Sequence, residues 1–174
     1  NRVIGAYIRQ ILPNALIVAG GPNIDPDPLR QLTFLKQHHY LDFIVIDGGE
    51  EPFSELVTWW REGNRDIDKL PKNIVWRDGE KVMASGERPI KKTIENIPSP
   101  YLSGYLDEFL EAGMIPMFES NRGCPYLCTF CAWGSAAKNK VSRFELDTTL
   151  EEIKYVGNRT QAKNWIFCDA NFGI

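Results

Sequence analysis

Residues 117–131 read Met117-Phe118-Glu119-Ser120-Asn121-Arg122-Gly123-Cys124-Pro125-Tyr126-Leu127-Cys128-Thr129-Phe130-Cys131. A strand-like run over 115–120, with Pro116 near its start, leads straight into a loop carrying three cysteines spaced C-x3-C-x2-C. Thiolates are soft ligands that suit zinc, copper(I) or an iron–sulfur cluster. Three thiolates within eight positions can wrap one small inorganic object. On a cubane cluster they fill three iron corners and leave the fourth open, as a reactive site requires and a structural site avoids. Gly123 and Pro125 suit the sharp path such a loop must take.

The flanks give the loop a context. Downstream, 147–156 has helical spacing, and Thr148-Thr149-Leu150-Glu151 is close to a capping box. Trp165-Ile166-Phe167-Cys168 then reads as a strand ending in Asp169-Ala170-Asn171. Upstream, 86–114 carries Pro89, Pro98 and Pro100 with little periodicity and is predicted to be an interdomain linker, with a short helix over 106–110. Before it, Ile74-Val75-Trp76-Arg77 and Lys81-Val82-Met83-Ala84 flank Asp78-Gly79, the signature of a hairpin turn.

Residues 1–62 alternate strand-like and helical runs. Helical spacing over 3–12 stops at Pro13, and the apolar run 16–19 reads as a buried strand ending in Gly20-Gly21-Pro22. A helix over 28–37 follows, with Asp25 or Asp27 as N-cap and Pro28 in its first turn. Strand 43–46 ends in Asp47-Gly48-Gly49-Glu50. Helix 51–61 should then present Phe53, Leu56, Val57 and Trp60 on one face. Continuous apolar strands alternating with amphipathic helices imply parallel pairing through crossovers. The predicted fold is α/β: a partial doubly wound, Rossmann-like parallel sheet with a hairpin over 1–85, the linker over 86–114, and the start of a (β/α) barrel over 115–174. Two strand–helix units are half of a doubly wound sheet. The chain also starts on Asn1 and stops at Ile174 with no tail, so a piece of a longer protein is expected.

Composition narrows the function classes. The chain has 174 residues, net charge −3 and a pI near 5.5, which offers no attraction to nucleic acid or an anionic membrane. No apolar run reaches the roughly 18 residues of a membrane span. Four cysteines are too few for a disulfide scaffold, and no signal points to an oxidising compartment, so a cytoplasmic setting is expected.

The three-cysteine spacing, with the aromatic Phe130 before the third cysteine, resembles the radical S-adenosylmethionine (SAM) superfamily, as does the strand–loop–helix–strand order around it. The resemblance implies that Cys124, Cys128 and Cys131 hold a 4Fe–4S cluster whose fourth iron chelates SAM. Reductive cleavage of SAM would then give a 5′-deoxyadenosyl radical. It further implies a small-molecule substrate and an electron donor of flavodoxin or ferredoxin type. Phe130 and Trp133 would flank the SAM adenine. Asp169 or Asn171, after the second barrel strand, either accepts from the SAM ammonium or caps the next turn. Gly48-Gly49-Glu50 looks like the superfamily's Gly-Gly-Glu, but it lies upstream of the cysteines, where chain order forbids that role.

Residues 1–62 resemble the C-terminal part of the cobalamin-binding domain found ahead of the barrel in one radical SAM subgroup. The matching residues are Val18-Ala19-Gly20-Gly21-Pro22 and 45–53, together with Ile97-Pro98-Ser99-Pro100-Tyr101-Leu102 and 119–125. The resemblance implies that Gly20, Gly21, Gly48 and Gly49 let cobalamin approach the backbone at the carboxyl edge of the sheet. Methyltransferases, methylthiotransferases and ring-forming enzymes all occur in the subgroup. The competing reading is a non-catalytic, zinc-stabilised interaction module, for which Cys168 or a histidine would be a distant fourth ligand. Otherwise Cys168 reads as a buried structural thiol, the tryptophans apart from Trp133 as core, His38 and His39 as a solvated helix end, and Arg88, Lys91 and Lys92 as a solvated linker face. Because a complete barrel takes on the order of 200–250 residues, none closes here. Exposed strand edges should be covered by partner copies, by disorder or by further chain.

Overall fold

The computed structural model describes residues 2–63, 66–89, 92–94, 96–131 and 140–173. The chain divides into two compact units, residues 1–88 and 89–174.

In the first unit the elements are α1 (Arg2–Ile11), β1 (Val18–Ala19), α2 (Pro28–Gln37), β2 (Phe43–Val45), α3 (Glu50–Arg61), a short 3-10 turn (Ile67–Lys69), β3 (Ile74–Asp78) and β4 (Lys81–Ala84). One sheet runs in the order β1-β2-β3-β4. β1 and β2 pair in parallel, Val18 with Phe43 and Ala19 with Ile44, and the hairpin continues the sheet antiparallel from β2. All three residues of β2 are buried, as expected of a strand covered on both faces. Alternation sends Phe43 and Val45 into a core with Leu56, Trp59, Leu70 and Ile74, and Ile44 into a second core with Leu35 and Val75. α3 therefore covers one face and α2 the other, which is the doubly wound arrangement.

Local details follow from side-chain chemistry. Asp27 caps α2 by accepting from the Leu29 amide at 2.8 Å, with Pro28 in the first turn where its missing N–H costs nothing. Gly5 of α1 is held small by packing, since a Cβ there would lie 2.2 Å from the Tyr40 ring. Four expectations need correction. α3 buries Pro52, Leu56 and Trp59, and Phe53 is exposed. The buried stripe is thus rotated by about one position; half-buried Trp60 still packs against the core, and with Phe53 and Val57 it lines an open groove of about 600 Å³ beside edge strand β1, together with Ile8, Leu16 and Val18. The hairpin turn is Gly79-Glu80, because Asp78 pairs with Lys81 inside the ladder and Gly79 supplies the positive φ of 57°. Arg88 is not a solvated linker cation, for it is paired with Glu51 at 2.8 Å and with Glu55. The Glu55 hydrogen bond is the main influence holding its guanidinium above the ordinary pKa. Likewise His38 is not simply solvated: it is half-buried, with its ring stacked on Phe34 and a ring nitrogen 2.8 Å from the Phe34 carbonyl.

The second unit holds β5 (Thr93–Ile94), α4 (Asp107–Glu111), β6 (Met117–Phe118), β7 (Asn121–Arg122), β8 (Ser142–Phe144), α5 (Leu146–Gly157) and β9 (Ile166–Phe167). β6 and β9 pair in parallel through α5, the first β-α-β step of the predicted barrel. A separate sheet runs β5-β8-β7. Among the described residues there is no closed barrel. The core is Phe118 against Tyr101, Leu110 and Val156, with Phe118 stacked on Trp165 and Phe167 at 5.4 and 5.5 Å between ring centres. The stretch read as patternless linker thus supplies β5, Tyr101 and α4 to this unit. α5 starts on Glu145, which makes no side-chain cap bond, and Thr149 turns its hydroxyl back to the Glu145 carbonyl, so no Thr148 capping box forms. Cys168 is exposed rather than buried. β9 pairs with β6 alone among the described strands, and both its residues, Ile166 and Phe167, are themselves exposed.

Candidate metal centre

Chain direction decides where the thiols lie. β6 ends at Phe118, a two-residue corner of Glu119 and Ser120 follows, and β7 joins the other sheet through Asn121 opposite Arg143 and Arg122 opposite Ser142. Gly123, at φ +91°, then turns the chain into Cys124. The cysteine loop so leaves from the carboxyl end of β6, where β/α barrels carry their chemistry.

Cys124 is half-buried, and Cys128 and Cys131 are exposed. The Cys131 amide donates to the Cys128 carbonyl at 3.1 Å, closing a single turn between these two cysteines. All three thiols are free of disulfides. Phe130 projects into solvent at 91% exposure. Trp133 lies outside the described residues. Among the described residues no group of three or more histidine, cysteine or acidic side chains is arranged to hold a single metal ion. The donor set nonetheless fits a cluster: three free thiols, all soft donors, on one loop, with no disulfide among the described residues.

The far side of the loop's approach is built by Asp169. Its Oδ1 accepts from the Ser120 amide at 2.6 Å and the Asn121 amide at 3.1 Å, and its Oδ2 accepts from the Ser120 hydroxyl at 2.6 Å. Asn121 is 2% exposed, and its side-chain oxygen is buried with no hydrogen-bond partner among the described residues, which marks a polar position near the start of the cysteine loop. Glu119 and Arg122 pair at 2.7 Å, with the Arg122 guanidinium over the Phe144 ring. Asn171 is half-buried in the turn after β9. Sequence reasoning missed Ser120 and Asn121 as partners of Asp169, and no spacing signal connects residues so far apart.

In the first unit the two glycine pairs sit together, after the carboxyl ends of neighbouring parallel strands β1 and β2. Their reasons for being glycine differ. Gly21 has φ +97°, and a Cβ on Gly20 would press on the Val45 carbonyl at 3.3 Å. A Cβ on Gly48 would meet nothing closer than Glu50 Oε2 at 3.9 Å, and one on Gly49 would lie in ordinary contact with Val45. Packing within the chain therefore does not require glycine at 48 or 49. An edge kept bare there fits the approach of a large ligand.

A doubly wound half-sheet, followed by a β-α-β step whose first strand opens into a three-cysteine loop, is the arrangement expected from the resemblance to the radical SAM superfamily. Comparison with known proteins agrees. The chain is 34% identical over 177 aligned residues to the cobalamin-dependent radical SAM methyltransferase TokK of Streptomyces tokunonensis, covering 98% of this chain and 25% of that protein. It is 33% identical, with the same coverage, to the 2-(S-pantetheinyl)-carbapenam-3-carboxylate methyltransferase of Streptantibioticus cattleyicolor. Among solved structures, OxsB, a cobalamin-dependent SAM radical enzyme with aqua-cobalamin and SAM bound, matches with a TM-score of 0.73 at 22% identity, over 98% of this chain and 24% of that one. The radical SAM methyltransferase TsrM of Kitasatospora setae matches with a TM-score of 0.71 at 18% identity, over 99% and 33%; at these identities the likeness is one of fold. No family model matches. The chain is homologous to cobalamin-dependent radical SAM methyltransferases, and it spans about a quarter of the length of the curated relatives it matches.

Proposed function

We propose that the protein carrying this chain is a radical SAM enzyme that transfers a methyl group, or performs related C–C or C–S chemistry, with a 4Fe–4S cluster, SAM and cobalamin. The observation that carries the reading is the trio of free thiols on the loop leaving β6, in a chain one-third identical to methyltransferases of this kind. When bound, the cluster supplies the electron that splits the SAM sulfonium into methionine and a 5′-deoxyadenosyl radical. Cys124, Cys128 and Cys131 would each hold one iron and leave the fourth for SAM. Phe130 and Trp133 would flank the adenine, and Asn171 would accept from the SAM ammonium. Gly20, Gly21, Gly48 and Gly49 would admit cobalamin to the edge of the first sheet. A small-molecule substrate, an electron donor of flavodoxin or ferredoxin type, and a cytoplasmic, anaerobic setting belong to the same proposal, as does a partner copy or further chain over the open strand edges. No helix among the described residues is long and apolar enough to cross a membrane.

Anaerobic reconstitution of the full-length protein with iron and sulfide tests this. The expected product is brown, holds iron and sulfide in near-equal amounts, and gives an electron paramagnetic resonance (EPR) signal on reduction that SAM perturbs. Cys124→Ala, Cys128→Ala and Cys131→Ala should each abolish it. Stoichiometric, colourless zinc that survives air would point instead to the interaction module.

A further inference from the structure

We infer that Asp169 is a positioning residue for the cysteine loop, acting through the Ser120–Asn121 corner rather than as a ligand of SAM. The inference rests on reading the loop as the cluster site. The chain passes from the β6–β9 pair to the β5-β8-β7 sheet within two residues. At that crossing the amides of Ser120 and Asn121 find their acceptor in one carboxylate brought from the end of β9. The corner is held from its other side too, since the Ser120 carbonyl accepts from the Phe144 amide at 3.1 Å. Asp169 is itself set in place by the strand ladder, where the Cys168 amide donates to the Phe118 carbonyl at 2.7 Å.

Three donors on one carboxylate, two of them at 2.6 Å, form a charge-assisted clasp. The clasped residues lie a few positions before Cys124, with only Arg122 and the left-handed Gly123 after Asn121. A shift at the corner is therefore passed to the first cluster ligand. Outer-shell groups that position metal ligands typically cost roughly 10–100-fold in metal affinity or activity when they are lost. With Oδ1 taken by two amides and Oδ2 by the Ser120 hydroxyl, the carboxylate is largely committed to the Ser120–Asn121 corner.

The test uses full-length protein, reconstituted anaerobically, in Asp169→Ala, Asp169→Asn and Ser120→Ala forms. Three quantities are read: the rate of iron release to a chelator, the EPR shift of the reduced cluster on adding SAM, and amide exchange of the 117–124 peptide in the cluster-free protein. Asp169→Ala should release iron about tenfold faster and lose protection at the Ser120 and Asn121 amides. Asp169→Asn should stay close to wild type in all three, because its oxygen still accepts from both amides and its nitrogen can donate to the Ser120 hydroxyl. Ser120→Ala, which removes one of three bonds, should fall between. Wild-type release and exchange in Asp169→Ala would overturn the inference. So would an Asp169→Asn protein that keeps its iron but loses the SAM shift, since that assigns the carboxylate's charge to SAM. If Asp169→Ala does not fold, Asp169→Asn and Ser120→Ala decide by the same readings. Wild-type protein that takes up no iron and sulfide overturns the cluster reading itself, and the role inferred with it. Amide protection would then report a bond that is structural only.

Discussion

Arg9 shows how much one side chain can fix. Its guanidinium donates to the carbonyls of Pro13, Ala15 and Tyr40 at 2.7, 2.9 and 2.9 Å and to Asp42 at 2.6 Å, and Asp42 in turn accepts from the Ile17 amide at 2.8 Å. The turn after α1, the approach to β1 and the approach to β2 are thereby tied to one planar fork. A lysine has three donors and no fork, so Arg9→Lys should cost about 1–3 kcal/mol, read as a lower denaturant midpoint with an unchanged slope. Nothing in the sequence marks Arg9, because most of its partners are backbone carbonyls with no residue type to betray them. Asp27 and Pro28, by contrast, were readable, since a cap acts on amides of its own helix two or three positions on. The same contrast separates the cysteines, whose spacing is their chemistry, from Asp169, whose partners are distant amides.

Elements were legible where they bury a face and obscure where they do not. α2 forms over the predicted residues, and β2 is recognisable as an apolar run. β8, Ser142-Arg143-Phe144, has no such run and exists as a strand because β5 and β7 pair with it on either side. Tyr101 joins the proline-rich segment to β6: its hydroxyl donates to the Met117 carbonyl at 2.7 Å and accepts from the Met117 amide at 2.9 Å. Tyr101→Phe leaves both backbone groups without that partner and should cost about 1–3 kcal/mol in thermal or chemical unfolding. Burial is the main influence holding the Tyr101 phenol above its ordinary 10.0. The folded state thus favours the protonated form. This contribution to stability is complete below pH 10 and lost as pH rises through the higher folded value. The fall should be absent in Tyr101→Phe when unfolding is followed against pH. In the first unit Leu56, at 0% exposure between α3 and the sheet, should cost about 2–5 kcal/mol on Leu56→Ala.

Across the whole molecule, the four thiols sort by position. Three lie on one loop, and Cys168 lies just beyond β9, exposed. In the metal-free chain, alkylation followed by mass spectrometry should find Cys128, Cys131 and Cys168 reactive and Cys124 slower. After anaerobic loading with iron and sulfide, Cys168 alone should remain reactive; loss of labelling at Cys168 as well would mean that it had become a fourth ligand. The alternation of strands and helices made the parallel β1–β2 pair and the β6–α5–β9 step legible. β8, the strand that pairs with β7 ahead of the cysteine loop, stayed hidden, since pairing between short strands is decided by the tertiary structure around them.

The bond between Ser120 and Asp169 spans 49 residues. On a ribosome adding on the order of 5–20 residues each second, the cysteines emerge seconds before the carboxylate that steadies their approach. Sulfur donors that meet iron in that interval do so on an unfastened backbone. Maturation of the holoprotein should therefore follow translation past Asp169, and a nascent chain stalled short of it should not retain inorganic sulfide.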